Sequence, residues 1–126
     1  FLYAQLFDIR KVTNYRKDLW NEYNQNINNN LFDKQDIKKN DTNGHLYFLL
    51  CKGDRKKFIN YMSKHNVQVS AHYESLNKSK FFSSIYKYKK CKNSEIAENK
   101  LVRLPIWFGM TEKQITHIIN LINNYG

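Results

Sequence analysis

An apolar segment, residues 45–51, lies between two glycines, Gly44 and Gly53. A short apolar run that is rich in aromatic side chains and bounded by turn residues predicts a buried β-strand. The chain has 126 residues, which is enough for one domain with one sizeable core around such a strand. No apolar run approaches the length of a membrane span. The sequence therefore predicts a globular domain built on a sheet.

Helical periodicity precedes and follows this strand. Residues 1–26 are predicted to form one long amphipathic helix, with apolar side chains at Leu2, Leu6, Ile9, Val12, Leu19 and Tyr23. A second helix is expected over residues 55–65, with Asp54 as its N-cap and Phe58, Ile59 and Met62 on its inner face. Thr111 and Gln114 have the spacing of a capping box. They predict a last helix, which turns inward Ile115, Ile118, Ile119 and Ile122.

The segments between these elements give weaker signals. Residues 27–44 read as a loop, and residues 67–73 alternate apolar and polar side chains as in a half-buried strand. A short helix is expected over residues 94–100, and Pro105 is expected to break regular structure. Residues 78–93 receive no assignment. The order of elements predicts an α+β fold, with a small antiparallel or mixed sheet and helices packed on one face.

The charge balance permits a polyanionic partner. Lys and Arg number 21 against 11 Asp and Glu, a formal net charge of +10. The run over residues 86–92 mixes tyrosine with lysine, a combination typical of single-stranded nucleic-acid binding. The other lysines follow no single face, and Arg, which is preferred for reading bases, is scarce. A stand-alone basic domain that binds nucleic acid or an acidic protein is therefore the alternative hypothesis.

Familiar catalytic patterns are sparse. Cys51 and Cys91 are interpreted as reduced thiols, with Cys51 buried; a Cys/His nucleophilic pair is not excluded by spacing. The histidines lack the spacing of metal ligands, so no metal site is expected. The glycines match neither a dinucleotide-binding nor a phosphate-binding loop. Residue patterns alone predict a basic α+β domain without a self-contained active site.

Three stretches are more informative when they are taken together. They are residues 1–6 with 15–20, residues 44–48 with 54–64 and 67–77, and residues 94–111. In this order they resemble the C-terminal third of the PLP-dependent nucleotide-sugar aminotransferases of the DegT–StrS group. Within that group the likeness is strongest to the enterobacterial-type dTDP-4-amino-4,6-dideoxygalactose transaminases. The third stretch carries the most specific match. Within it, Arg103-Leu104-Pro105 is interpreted as a structural motif that forms a corner of the chain.

The resemblance implies that this chain is one part of a longer enzyme whose domains have separate roles. Residues 1–26 would lead from a large domain, and residues 27–126 would form the C-terminal small domain. The family's PLP cofactor and its Schiff-base lysine would lie upstream of Phe1, so no catalytic residue is expected in this chain. PLP is not expected to bind to the chain alone, which would then be inactive. The parent would be a cytoplasmic homodimer that uses a nucleotide sugar and an amino donor, glutamate in the family, for lipopolysaccharide or enterobacterial common antigen synthesis.

The resemblance also implies which residues approach the substrate. The family pattern H-Y-x-P-L-H corresponds to residues 72–77, which form one wall of the substrate cleft in such enzymes. His72, Tyr73 and Asn77 are therefore the predicted substrate-binding residues, although Tyr73 is equally compatible with a core or hinge role. Ser75 replaces the family's proline and Asn77 replaces its final histidine. The first change loosens the turn, and the second removes a titratable donor but keeps a hydrogen-bonding side chain.

Overall fold

Strand β2 (Tyr47–Cys51) forms within the apolar run that predicts it. The computed structural model, which describes residues 2–87 and 90–126, pairs β2 on one side with β1 (Phe32–Asp33) and on the other with β4 (Leu101–Leu104). Strand β3 (Ser70–Ala71) pairs with the far side of β4. All three pairings are antiparallel, in the order β1-β2-β4-β3. The α+β prediction is confirmed, and the sheet is antiparallel.

The strands other than β2 differ from their predictions. Only residues 70 and 71 of the predicted 67–73 strand join the sheet. Continuing the register from Ser70, which pairs with Arg103, would place Gln68 opposite Pro105, which has no N–H to donate. Regular structure does end at Pro105, as predicted. The element that ends there is a central strand, β4, which the sequence pattern did not predict. Strand β1 likewise lies in a predicted loop.

The predicted 1–26 helix is divided into two within the described residues. Helix α1 (Leu2–Leu6) ends before a turn at Phe7 and Asp8, and α2 (Ile9–Asn26) follows. Asp8 is the N-cap of α2, but its side chain makes no capping hydrogen bond. An aspartate favours helix starts over helix interiors because its carboxylate competes for backbone N–H groups. Of the predicted apolar face, Leu19 and Tyr23 are buried, whereas Leu6 and Ile9 are exposed. The periodicity did not reveal the break between the two helices.

The capped helices agree with the sequence. Helix α3 (Arg55–Lys64) begins at Asp54, whose carboxylate accepts hydrogen bonds from the backbone N–H groups of Lys56 and Lys57. Helix α6 (Glu112–Asn123) begins with the predicted capping box. A short helix α4 (Lys80–Ile85) and α5 (Lys92–Lys100) connect β3 to β4.

The two faces of the sheet have different environments. Tyr47, Leu49 and Cys51 alternate toward one face and are buried in the main core. Helices α2, α3 and α6 cover that face, with the four predicted isoleucines of α6 all buried. Residues 48, 50 and 103 point to the other face and are only half-buried. This outer face is the less covered side of the sheet.

Hydrogen bonds join helix α2 and the following turn to the C-terminal part of the chain. The Tyr23 hydroxyl donates to the carbonyl oxygen of Pro105 at 2.8 Å. Burial, with a smaller contribution from Tyr47, raises the pKa of Tyr23 well above its ordinary value. The Asn29 amide donates to the carbonyl oxygens of Ile122 and Tyr125, at 2.8 and 2.7 Å. These bonds fix α2 against the segment that follows β4 and against the end of α6.

The capping box of α6 leads to a first prediction. The Thr111 side chain accepts from the backbone N–H of Gln114, and the Gln114 side chain accepts from the backbone N–H of Thr111. Thr111→Ala is expected to lower the free energy of unfolding by about 1 kcal/mol, the usual cost of losing an N-cap. Thr116→Ala, the same change at an exposed position inside α6, is the control and should cost nothing, since alanine favours helix. Equal losses in urea titrations of both variants would contradict the capping role.

The two thiols are predicted to differ in reactivity. Cys51 is 2% exposed, and burial raises its pKa to about 11, opposed in part by Arg55; Cys91 is exposed. Because thiolate is the reactive form, one equivalent of DTNB should react quickly at pH 8 and the second only on unfolding. Cys91→Ser should remove the fast phase alone, and two fast equivalents in the native protein would contradict the burial of Cys51.

The raised pKa of Cys51 also gives a direction for stability in alkali. The unfolded chain loses the thiol proton near pH 9, whereas the folded chain holds it to about pH 11. Retention of this thiol proton therefore adds its full contribution to the free energy of unfolding below pH 9. That contribution is lost as the pH rises toward 11.

Candidate functional site

Arg103 occupies the middle of the outer sheet face. It lies on β4 and is paired with Phe48 on β2 and Ser70 on β3, so its side chain has a strand on each side. The residue is half-buried, and its Nε atom is buried with no hydrogen-bond partner among the described residues. An unpartnered buried donor on a charged group is costly. Arg103, expected only to be part of a structural corner, thus places a half-buried guanidinium on the outer sheet face.

Tyr73 lies over this guanidinium. Its ring centre is 5.9 Å from the Arg103 Cζ atom, within cation–π distance. The neighbouring His72 ring is 4.9 Å from the Tyr73 ring. Strand β3 ends at Ala71, so both rings follow directly from the end of the strand that pairs with Arg103. The structure therefore brings together two of the three predicted substrate-binding residues, and both are exposed.

Asn77, the third predicted binding residue, has a different environment. It is 6% exposed, and its side-chain amide donates to the Glu95 carboxylate on α5 at 3.2 Å. The Ser75 hydroxyl donates to the Asn77 carbonyl oxygen, and Ser75 is also buried. The two residues that depart from the family pattern thus contact each other and join the 72–79 segment to α5. Their side chains hold this segment in place beside Tyr73.

A groove of about 270 Å³ runs past Arg103. Its lining includes His45, which precedes β2, and Ser70 and Gln68 on the β3 side, with Leu46 and residues 104–106 supplying apolar surface. A larger groove of about 570 Å³ shares Gln68, Pro105 and Ile106 and continues to Trp107 and His117. No carboxylate lines either groove. The surface offers hydrogen-bond donors, apolar walls and one guanidinium.

This arrangement suits recognition better than bond-breaking chemistry. Arginine binds planar oxyanions through paired N–H donors, and an exposed tyrosine face can pack on a ligand ring. Within residues 2–87 and 90–126, no group of three or more His, Cys, Asp or Glu side chains could hold a metal ion. His45 and Ser70 were not among the predicted site residues. The strand register pairs Ser70 with Arg103, and His45 joins them as a lining residue of the same groove; no local sequence pattern signals either position.

The lysine- and tyrosine-containing run over residues 86–92 falls partly outside the described residues, which omit 88 and 89. Tyr86 stacks on Phe82 with ring centres 4.9 Å apart. One face of that ring is therefore occupied within the chain. The helices in the described part of the chain lack the length and apolar character that a bilayer crossing requires.

Known proteins share this fold and part of this sequence. The chain is 32% identical over 85 residues to an uncharacterized protein, MJ1066, of Methanocaldococcus jannaschii, an alignment that covers 62% of this chain and 22% of that protein. The sugar aminotransferase CalS13 of Micromonospora echinospora superposes with a TM-score of 0.87 at 12% identity, over 98% of this chain and 33% of CalS13. The Spr1654 protein of Streptococcus pneumoniae, in its PLP-form, superposes with a TM-score of 0.79 at 18% identity, over 96% of this chain and 33% of Spr1654.

The structural matches cover nearly all of this chain but only about a third of those enzymes. At such identities they establish the fold alone. The sequence itself matches the model of the DegT/DnrJ/EryC1/StrS aminotransferases over residues 1–123, which confirms the family that the three stretches resemble. The chain therefore belongs to the DegT/DnrJ/EryC1/StrS aminotransferase family.

Proposed function

We propose that the chain is the C-terminal part of a PLP-dependent sugar aminotransferase. The observation that carries the proposal is the family match over residues 1–123, joined to a fold that corresponds to about a third of a sugar aminotransferase. Residues 1–26 lead from a preceding large domain and residues 27–126 form the small domain, with the C-terminal half of α2 packed into it. The surface formed by half-buried Arg103 and exposed Tyr73 would then form one wall of the substrate cleft.

An exposed apolar surface at the start of the chain supports a docked large domain. Tyr3 and Phe7 on and after α1 are 74% and 76% exposed, and their rings contact each other at 5.2 Å. Ile9 and Phe108 are also exposed, with the Lys11 ammonium 5.9 Å from the Phe108 ring centre. Contiguous exposed apolar side chains are typical of surfaces that another domain covers.

The proposed reaction moves an amino group from an amino acid, in the family glutamate, to a 4-keto-6-deoxy nucleotide sugar. The product would serve lipopolysaccharide or other surface-polysaccharide synthesis, and the closest functional type would be the dTDP-4-amino-4,6-dideoxygalactose transaminases. PLP supplies the electron sink that amino transfer requires. The parent enzyme would act as a homodimer in the cytoplasm.

The two grooves of this chain do not fit PLP. A Schiff-base cofactor needs a lysine beside a phosphate-binding pocket, and among the described residues none that lines the grooves at Arg103 and Trp107 is a lysine. The role that fits this chain is therefore binding and orientation of the substrate. His72 and Tyr73 present an exposed ring surface to it, and Asn77 holds their segment against α5. We expect the isolated chain not to transaminate.

Two measurements test this proposal. The reading frame that contains the chain should extend upstream of Phe1 for about twice the length of the chain, since the chain covers about a third of its structural neighbours. Borohydride reduction of the complete protein with PLP should label one lysine, located by peptide mapping in that upstream segment. A frame that begins just before Phe1, or a labelled lysine among residues 1–126, would contradict the proposal.

A further inference from the structure

We propose that the outer-face groove at Arg103 is an oxyanion-binding site, in which the guanidinium takes a carboxylate or a phosphate of a ligand. The nature of the ligand rests on the proposed function: the oxyanion would be a carboxylate of the amino donor or the diphosphate of the nucleotide sugar.

Among the described residues, no carboxylate forms an ion pair with the guanidinium of Arg103. Ion pairs in the described ranges join Lys39 to Asp18, Lys52 to Asp33 and Lys78 to Glu98, and Arg103 takes part in none of them. Its buried Nε donates to no atom of the described chain. A buried donor on a charged group is normally partnered by protein, water or ligand. Arg103 also lines the groove, so an anion bound there would supply the missing countercharge.

Arg55 provides a comparison, because its guanidinium forms hydrogen bonds that join elements of the same fold. Its Nη1 atom donates to the carbonyl oxygens of Glu98 and Leu101, so it joins α3 to the start of β4. Arg103, only two residues along β4 from Leu101, makes no such bond. Its Cζ atom lies 5.9 Å from the centre of the Tyr73 ring. A guanidinium beside a ring face keeps its N–H groups available for a planar oxyanion.

The surroundings of Arg103 match the same ligand chemistry. His45, Ser70 and Gln68 line its groove and can donate hydrogen bonds, and no carboxylate competes there. Leu46 and residues 104–106 form an apolar wall along one side of the groove. Charge-assisted hydrogen bonds to an oxyanion are strengthened in such surroundings.

The test observes the guanidinium directly. ¹⁵N NMR of the 126-residue chain follows the Nε–Hε signals of its arginines, which are Arg10, Arg16, Arg55 and Arg103. The chain is titrated separately with sodium glutarate, with sodium pyrophosphate and, at matched ionic strength, with sodium chloride. Arg103→Gln removes the proposed ligand group. Arg10→Gln is the control, since it removes the same charge from an exposed position of α2. The amide spectrum of each variant reports whether it is folded.

The expected result is a saturable shift of the Arg103 signal with glutarate or pyrophosphate. Arg103→Gln should weaken binding at least about tenfold, as expected for loss of a charge-assisted pair, and Arg10→Gln should leave it unchanged. Tyr73→Phe, which keeps the ring face, should bind as the parent does, whereas Tyr73→Ala should bind more weakly. The anion that binds more tightly identifies the source, glutarate for the donor carboxylate and pyrophosphate for the nucleotide.

Several outcomes would overturn the site. They are no saturable shift with either anion, an equal response to chloride, or undiminished binding by folded Arg103→Gln. The titration requires no catalysis, so its failure is distinguishable from failure of the proposed function. The complete protein could fail to transfer amino groups while Arg103 still bound the anion. That result would contradict the proposed function and support the oxyanion site.

Discussion

Replacing Gly44 by alanine is expected to lower the free energy of unfolding by about 3 kcal/mol. Gly44 has φ +64°, a left-handed conformation that costs an L-residue about 1 kcal/mol. A Cβ atom there would lie 2.6 Å from the backbone carbonyl carbon of Arg16 and 2.7 Å from the backbone nitrogen of Lys17. Because these are backbone atoms of α2, the clash cannot be relieved by a rotamer change, and overpacking of this kind costs about 1–3 kcal/mol.

Alanine variants of two other glycines distinguish the cost of the left-handed conformation from the cost of the clash with α2. Gly109 also has a positive φ, +93°, but an added Cβ would meet no atom within 4 Å, so Gly109→Ala should cost only about 1 kcal/mol of backbone strain. Gly53 has neither a positive φ nor a neighbour within 4 Å, and Gly53→Ala should be neutral or slightly stabilising. Guanidinium titrations of the three variants should rank them in this order. A Gly44 variant as stable as the Gly53 variant would show that the 44–45 turn does not pack on α2.

Trp20→Ala is expected to lower the free energy of unfolding by about 3–5 kcal/mol, the range for removing a large buried aromatic side chain. Trp20 is 0% exposed, and its ring contacts Tyr47 on β2 edge-to-face with centres 5.4 Å apart. The substitution would therefore leave a cavity between α2 and the sheet, in a chain whose total stability is of comparable size.

The second tryptophan of the chain provides the control. Trp107 is 43% exposed, and Trp107→Ala should cost less than about 1 kcal/mol. If the two variants lost equal stability, α2 would not share a core with the sheet. The larger loss at Trp20 would instead show that the small domain depends on α2 for folding, as well as for its connection to a preceding domain.

The elements that could be predicted from sequence are those specified by local interactions. Strand β2 is a bounded apolar run, α3 begins at the carboxylate of Asp54, and α6 begins at a capping box. Each signal acts over a few residues, so it is present in the sequence itself. The α+β class followed from the order of elements, and the resemblance added the family, because the order of three stretches carries information that no single stretch has.

The elements that were missed depend on pairing between distant residues. Strand β4 directly follows α5 and ends before Pro105, and it is a strand because β2 and β3 lie on either side of it. Strands of two residues, such as β1 and β3, exist only through their partners.

The candidate site shows the same limit. His72 and Tyr73 could be predicted by resemblance, whereas Ser70 lies beside Arg103 through strand register and His45 reaches the same groove only in the folded chain. Side chains from separate strands that meet in this way leave no signal at any fixed sequence spacing.

Transfer of nitrogen to a sugar is the most direct test of the central claim, that this chain completes a sugar aminotransferase. The complete protein, loaded with PLP, would be incubated with ¹⁵N-labelled glutamate and a 4-keto-6-deoxy nucleotide sugar, and the nucleotide-sugar product analysed by mass spectrometry. We predict a ¹⁵N-containing amino sugar nucleotide that is absent when PLP is omitted or when only residues 1–126 are supplied. Label that remains entirely in the amino acid, for each 4-keto nucleotide sugar and amino donor supplied to a folded, PLP-loaded protein, would contradict the account.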